Sequence, residues 1–196
     1  MICPVIDGLF DPLFLHELHS KITEIPLTTT NIANRKTWPY GYTGSHKLFG
    51  TTLFRREGLN RVTHLHSQAE TFFDIFEAIE KILENNIFPK EKFILTQISL
   101  NVQHTHCHGS VHIDTNSSEH TILMMTNAIW NSEWGGQFQL TNNDGSEVVE
   151  EYDYVPGRII IMPSNHPHRG LGPVEPYIYR TSVVFRICKL NNFLSF

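Results

Sequence analysis

The stretch Phe93–Gln103 reads FILTQISLNVQ, and its apolar and polar side chains alternate. A period of two is typical of a β-strand, because successive side chains of a strand point to opposite faces. One face of this strand carries Ile94, Thr96, Ile98, Leu100 and Val102, and the other carries Gln97, Ser99, Asn101 and Gln103. The stretch therefore predicts a strand with one buried face and one polar face.

A histidine and an aspartate follow this strand as His112-Ile113-Asp114. In an extended segment the imidazole and the carboxylate of such a pair project from the same side. A third, remote histidine would complete a set of two histidines and one carboxylate, which binds Fe(II) and leaves coordination positions open. On this reasoning His166 and His168 are both candidates for the third ligand.

Five later stretches have the character of short strands separated by turns rich in Gly, Asn, Asp and Pro. They are residues 121–129, 137–141, 147–152, 158–162 and 177–188. No helical pattern alternates with them. This arrangement favours antiparallel sheets packed as a sandwich or barrel.

Two helices are predicted ahead of these strands. Asp11 followed by Pro12 is an N-cap with proline in the first turn, and apolar residues then recur at helical spacing. The Ser-Gln-Ala-Glu of residues 67–70 is a capping box for a second helix that ends near residues 85–86. Residues 25–66 have no sustained period, and we expect loops with short strands there.

These patterns together predict an α+β, mainly β fold. It is a double-stranded β-helix, or jelly roll, in which the N-terminal helices brace one sheet. We expect a single domain over residues 1–196, because no Pro/Ser-rich or charged linker divides the chain. Residues 1–90 would supply helical support and lid loops, and residues 91–188 would form the jelly-roll core.

Composition narrows the functional class. The 196-residue chain has 15 Lys and Arg against 20 Asp and Glu, a formal net charge of −5, which disfavours nucleic acid as a partner. No apolar run reaches the roughly 18 residues of a membrane helix, and residues 1–12 lack the basic start of a signal peptide. The three cysteines are too few and too far apart for a disulfide framework. We expect a cytoplasmic protein that does not associate with membranes, and the sequence indicates no oligomeric state.

A candidate anion-binding residue lies in the last predicted strand. An oxygenase that uses 2-oxoglutarate needs a fixed cation to bind the distal carboxylate of that cosubstrate, and arginine suits this role. Arg180 shares a strand face with Ser182 and Val184. A cation in an otherwise apolar strand requires an anionic partner, and a bound dicarboxylate would be one.

In their order along the chain, residues 97–187 resemble the catalytic core of the prolyl 4-hydroxylase-like Fe(II)/2-oxoglutarate dioxygenases. The matching elements are Asn101-x-Gln103, Gly109, His112-Ile113-Asp114, residues 121–127, Trp130, Trp134-Gly135-Gly136, Pro156-Gly157-Arg158, residues 168–174 and Arg180-x-Ser182. The family's distal histidine, which precedes a small residue and Pro-Val, falls on His168 and not on His166. The resemblance thus implies His112, Asp114 and His168 as iron ligands and Arg180, not Arg186, as the cosubstrate anchor.

The resemblance also implies an activity. It is the hydroxylation of an unactivated C–H bond, first of a prolyl residue in a protein or peptide and second of a free amino acid, with Fe(II), 2-oxoglutarate and O2 and with ascorbate as an additional cofactor. Where many members have a tyrosine, this chain has Met125, so Asn101, Gln103 or Thr121 is expected to contact the cosubstrate instead. The aromatic stretch of residues 38–42 is a candidate lid that meets the substrate.

Two other functions fit the same fold. A cupin-like metalloprotein also has a jelly roll with a late histidine, although it needs neither the carboxylate of Asp114 nor Arg180. A non-catalytic jelly-roll binding module is the second alternative, because a fold does not imply a function. Outside the predicted ligands, we interpret Arg186 as a surface charge, His104, His106 and His108 as a polar loop, and Trp134-Gly135-Gly136 as a turn.

Overall fold

The computed structural model describes residues 3–30, 48–115 and 119–190. The strands are β1 (Val5–Ile6), β2 (Thr28–Thr30), β3 (Leu48–Arg56), β4 (Val62–Leu65), β5 (Phe93–Gln103), β6 (His120–Met125), β7 (Phe138–Thr141), β8 (Val148–Tyr152), β9 (Ile159–Pro163), β10 (His168–Gly170) and β11 (Arg180–Lys189). The helices are α1 (Pro12–Thr23) and α2 (Glu70–Ile82), with a π-helical turn at Leu83–Ile87 and a 3-10 turn at Ser132–Trp134. The candidate lid at residues 38–42 lies outside the described residues.

Helix α1 begins as its sequence predicts. The Asp11 carboxylate accepts a 2.8 Å hydrogen bond from the amide of Phe14, and Pro12 occupies the first turn. Leu15, Leu18 and Ile22 form its buried face. None of these helices could span a membrane: over the described ranges, each is too short or too polar.

Helix α2 begins differently from the prediction. Its N-cap is Ala69, which provides no side-chain hydrogen bond, so the predicted capping box at residues 67–70 is wrong. The helix is held instead by its apolar face, where Phe72, Ile75 and Ile79 are buried. Packing of an amphipathic face stabilises a helix more than its end residues do.

Two antiparallel sheets make up the body of the protein. The large sheet has the order β1-β9-β6-β11-β5-β3-β2, with β4 paired to β3, and the small sheet has the order β10-β7-β8. The prediction of a mainly β, antiparallel jelly roll is confirmed.

The helices cover the outer face of the large sheet, as predicted. Residues of α1 and α2, such as Leu18 and Ile79, share one buried cluster with Ile98, Val183 and Phe185 of the sheet. A second buried cluster joins the two sheets and includes Leu123, Met125, Phe138, Leu140 and Ile160. The outer face of the large sheet is thus apolar and buried, and the polar residues of β5 lie on its inner face.

The register of the central strands aligns these polar residues. On β5 and β11, Gln103 lies opposite Arg180, Asn101 opposite Ser182, and Gln97 opposite Arg186. Residues directly opposite each other in an antiparallel pair share a face. The polar face predicted for β5 and the Arg180 face predicted for β11 therefore form one surface.

The sequence predicted the central strands better than the ends and the edges of the sheet. β5 has the predicted bounds, whereas β6 ends at Met125 and β11 begins only at Arg180. Loops with short strands were expected over residues 25–66, but β3 is nine residues long and pairs with β5. Register shifts in both of its pairings, with β4 and with β5, break the two-residue period by which a strand is recognised.

Candidate metal centre

A cavity of about 300 Å³ lies on the inner face of the large sheet. Strands β3, β5, β6 and β11 form its floor, and Phe138 and His168 of the small sheet line it from the other side. The polar residues of β5 and the three residues predicted as metal ligands all line this cavity. The structure therefore brings the predicted site residues to one place.

His112, Asp114 and His168 lie together, with one ligand atom from each within 4.8 Å of the others. The Nε2 of His112 is 3.8 Å from Oδ1 of Asp114, and the Nε2 of His168 is 3.9 Å from Oδ2. Two backbone hydrogen bonds between His112 and His168, of 3.0 and 2.9 Å, bring the two rings to a centroid distance of 4.4 Å. This strand-like pairing of the backbone thus places His168, which is remote along the chain, beside His112.

The ring of each of these histidines is oriented by the backbone carbonyl two residues before it. The Nδ1 of His112 donates to the carbonyl of Ser110 at 2.9 Å, and the Nδ1 of His168 donates to the carbonyl of His166 at 2.8 Å. This assignment places the lone pair on Nε2, which faces the cluster. Burial and the neighbouring His168 lower the pKa of His112 to about 4, and burial lowers the pKa of His168. Both rings are neutral at pH 7, as metal ligands must be.

Asp114 is held by one hydrogen bond on each carboxylate oxygen. Arg186 donates from Nη2 to Oδ1 at 2.9 Å, and the Thr121 hydroxyl donates to Oδ2 at 2.6 Å. Burial favours a raised pKa for Asp114, but the guanidinium of Arg186 and the two histidines hold it below its usual range. The carboxylate is therefore ionised and fixed in orientation.

Arg180 is a buried cation at the base of the cavity. Its side chain donates from Nε to the carbonyl of Gly136 at 2.8 Å and from Nη1 to Oε1 of Gln103 at 2.9 Å, and its guanidinium lies 5.3 Å from the ring centre of Tyr154. Nη2 is buried and has no hydrogen-bond partner in the described part of the chain. Burial lowers the pKa of Arg180 to about 10. A buried arginine with an unused N–H at a cavity fits a carboxylate ligand.

Gln103 and Gly136 set the position of this arginine. Both N–H groups of the Gln103 amide are used, at 2.8 Å to the carbonyl of Cys107 and at 2.9 Å to that of Gly170. Gly136 has a φ of 81°, and a Cβ at this position would lie 2.7 Å from the Trp130 ring. Only glycine fits there, so the Trp134-Gly135-Gly136 turn also supplies the carbonyl that accepts from Arg180.

One sequence-based interpretation changes with these contacts. Arg186 is not a surface charge, because it contacts Asp114 and lines the cavity. The Thr121 hydroxyl donates to Asp114, and the Gln103 amide hydrogen-bonds its neighbours and Arg180. Both side chains line the cavity, and their predicted contacts with the cosubstrate stay predictions. Asn101 lines the cavity, and its predicted contact with the cosubstrate stays a prediction.

The face of the sheet on which Arg186 lies could have been found from the sequence. It lies an even number of residues after Arg180, so the strand period places both on one face. In contrast, the contact between the Ser164 and Thr121 hydroxyls, at 2.9 Å, joins residues that are remote along the chain. Among the described residues, the cluster of potential metal ligands consists of His112, Asp114 and His168 and does not include His104, His106, His108 or His166.

The residues of the cluster fit a divalent iron ion. Two neutral imidazoles and one ionised carboxylate are the donor set that suits Fe(II) with open positions. The same cavity offers the unused N–H of Arg180 to an anion. The arrangement can hold a metal ion and a chelating, negatively charged ligand side by side.

Comparison with known proteins identifies structures that have the same fold as this chain. No family profile matches the sequence, and no curated protein shows significant similarity to it. A 2OG-Fe(II) oxygenase family oxidoreductase from Burkholderia pseudomallei matches in structure with a TM-score of 0.68 at 14% identity, over 94% of this chain and 84% of that chain. A Trichoplax adhaerens prolyl hydroxylase, solved with a hypoxia inducible factor peptide fragment, matches with a TM-score of 0.63 at 15% identity, over 98% and 86% of the two chains.

A third similar structure is that of an enzyme with a different reaction. It is the non-heme, alpha-ketoglutarate-dependent epimerase SnoN of nogalamycin biosynthesis, with a TM-score of 0.58 at 10% identity, over 95% of this chain and 77% of that chain. Likeness at such low identity concerns the fold. The chain has the jelly-roll fold of the 2OG-Fe(II) oxygenases.

Proposed function

We propose that this protein is an Fe(II)- and 2-oxoglutarate-dependent dioxygenase that hydroxylates an unactivated C–H bond. The observation that carries the proposal is the ligand set of His112, Asp114 and His168 in one cavity with the buried guanidinium of Arg180. A metal-ligand cluster or a buried arginine alone also occurs in proteins of unrelated function. A chelating dicarboxylate cosubstrate requires such a ligand set beside a buried arginine, and Nη2 of Arg180 has no partner among the described residues.

The protein's own residues perform four tasks in this proposal. His112, Asp114 and His168 hold the iron, and Arg186 and Thr121 keep the Asp114 carboxylate ionised and oriented. Arg180 binds the distal carboxylate of 2-oxoglutarate, with Gln103 and Gly136 fixing its guanidinium. Leu123, Phe138 and Val184 give the cavity an apolar lining. This lining keeps water and side reactions away from the reacting atoms.

When bound, iron and 2-oxoglutarate supply the oxidising chemistry: with O2, the cosubstrate becomes succinate and CO2, and a C–H bond becomes C–OH. No general base is assigned to the chain. The neutral state of His112 and His168 keeps their Nε2 atoms available as ligands near neutral pH. The protein acts by binding, orienting and shielding.

We infer that the substrate is a prolyl residue in a protein or peptide, with a free amino acid as the second choice. The support is the prolyl hydroxylase among the similar structures, which holds a peptide fragment. The epimerase among the same structures shows that this fold also serves other reactions. The substrate must therefore be identified by assay.

The test is an anaerobic Fe(II) titration, with and without 2-oxoglutarate, that follows the weak visible charge-transfer band of the chelated cosubstrate. We expect the band in the wild type and in the control His166→Ala, because the His166 side chain is outside the ligand cluster. We expect no band in His168→Ala. Metal binding without a band would favour a cupin-like metalloprotein, and no metal binding would favour a non-catalytic module.

A further inference from the structure

Three polar side chains form a row across the floor of the cavity. On adjacent strands β3, β5 and β11, Arg55 lies opposite Gln97, and Gln97 lies opposite Arg186. All three line the cavity. We call Arg55, Gln97 and Arg186 the arginine row.

The contacts within the row leave hydrogen-bond donors unused. Arg55 donates from Nη2 to Oε1 of Gln97 at 3.1 Å, which links the two side chains. Arg186 directs Nη2 to Asp114 at 2.9 Å, but its Nε is buried and has no partner in the described ranges. A buried N–H without an acceptor is costly, so a ligand that accepts a hydrogen bond would be stabilised there.

The charge of the cavity favours an anion. Among the described residues that line it, Arg55, Arg180 and Arg186 are cations and Asp114 is the only acid, a formal surplus of two positive charges. A divalent metal ion and a doubly negative cosubstrate would cancel each other and leave this surplus unchanged. The chain as a whole carries a net charge of −5, so the positive charge is concentrated in the cavity.

The arginine row lies away from the cosubstrate anchor. Arg180 and Arg186 are six residues apart on the same face of β11, which is about 20 Å along a strand, and Asp114 contacts the Arg186 end. Arg55 is exposed, so this end of the cavity opens to solvent. A second ligand could enter here while 2-oxoglutarate occupies Arg180.

We propose that the arginine row binds a carboxylate of the primary substrate and thereby selects acidic substrates. This inference rests on the proposed function for its distinction between substrate and cosubstrate. Guanidinium groups bind carboxylates through parallel N–H groups, and the amide of Gln97 adds a neutral polar contact between the two arginines. The substrate is then a peptide or amino acid that carries either a chain-terminal or a side-chain carboxylate near the carbon that is oxidised.

The test compares small acids with their uncharged amides. N-acetyl-proline, N-acetyl-leucine and N-acetyl-phenylalanine, each as free acid and as primary amide, are titrated calorimetrically into protein loaded with Zn(II) and saturating 2-oxoglutarate. We expect the wild type to bind each acid at least about tenfold more tightly than its amide, as for a charge-assisted hydrogen bond. N-acetyl-aspartate α-amide and its asparagine counterpart test a side-chain carboxylate in the same way.

Variants assign this preference to the row. Arg55→Gln should reduce the acid-to-amide ratio to below about twofold, whereas Arg55→Lys should retain part of it. The matched control is Arg61→Gln, because Arg61 lies outside the cavity and its side chain is 77% exposed. The hydrogen bond that the described residues show for the Arg55 side chain goes to Gln97, and not to the ligand cluster or Arg180, so Arg55→Gln should still bind metal and 2-oxoglutarate.

Several results would overturn the inference. Equal affinity for acids and amides in the wild type is one, and an unchanged preference in Arg55→Gln is another. A preference for acids over amides that vanishes at saturating 2-oxoglutarate would mean that the acids bind at Arg180. This result would also overturn the inference. If the protein does not bind 2-oxoglutarate at all, the proposed function fails, but the acid and amide comparison still tests the row in the metal-free protein.

Discussion

The change Arg180→Gln should weaken 2-oxoglutarate binding about 100-fold. Burial lowers the pKa of Arg180 from 12.5 to about 10, and at 1.36 kcal/mol per pKa unit this corresponds to about 3 kcal/mol of unfavourable desolvation. A carboxylate in contact with the unused Nη2 would form a charge-assisted hydrogen bond, which contributes about 1.5–3 kcal/mol. About 3 kcal/mol of binding energy is roughly a factor of 100 in Kd.

The assay follows the charge-transfer band of the Fe(II) chelate in anaerobic titrations with two ligands. Pyruvate has the same 2-oxo acid group as 2-oxoglutarate but no distal carboxylate, so it should not depend on Arg180. We expect the Kd of 2-oxoglutarate to rise about 100-fold in Arg180→Gln and that of pyruvate to stay unchanged. The control Arg61→Gln should change neither, because Arg61 is exposed.

An equal loss for both ligands would refute this reasoning. It would mean that Arg180 acts on the fold or the metal site and does not contact the distal carboxylate. Arg180→Lys gives an additional measure, because lysine keeps the charge but cannot replace both hydrogen bonds, to Gly136 and Gln103. It should therefore bind 2-oxoglutarate with an affinity between those of the wild type and Arg180→Gln.

Three further predictions follow from the site. Thr121→Val removes one of the two hydrogen bonds to Asp114, so metal affinity should fall about 10- to 100-fold by calorimetry; an unchanged affinity would mean that Arg186 alone suffices. Gly136→Ala places a Cβ 2.7 Å from Trp130 at a φ of 81°, so the free energy of unfolding should fall by about 1–3 kcal/mol in denaturant titrations. The pKa of His112 is about 4 in the fold against 6.5 as its ordinary value, so protons bind the unfolded chain first as the pH falls. The metal-free protein should lose about 3 kcal/mol from this residue between pH 6.5 and 4, and a flat profile of stability against pH would contradict it.

Much of the fold could be predicted because its signals are local. The alternation in Phe93–Gln103 and the apolar spacing of α1 each depend on neighbours within a few residues, and both elements have the predicted character. The length of β3 could not be predicted, because register shifts interrupt its two-residue period. The start of α2 was misplaced because tertiary packing, and not a capping side chain, holds that end.

The sequence by itself determined which side chains share a strand face and which residue types are present. It placed His112 beside Asp114 and Arg180 on the face of Ser182, since the period of a strand is a property of the backbone. The choice of His168 over His166 came from the family resemblance.

Only the tertiary structure decided what each side chain contacts. In the structure, Arg186 and Thr121 hydrogen-bond to Asp114, and Gln103 hydrogen-bonds to Arg180. The strand register aligns Arg55 with Arg186 across three strands. The hydrogen bonds among these contacts join residues up to 77 positions apart along the chain. They depend on sheet register and strand order, which arise from the packing of the whole chain and have no local signal in the sequence.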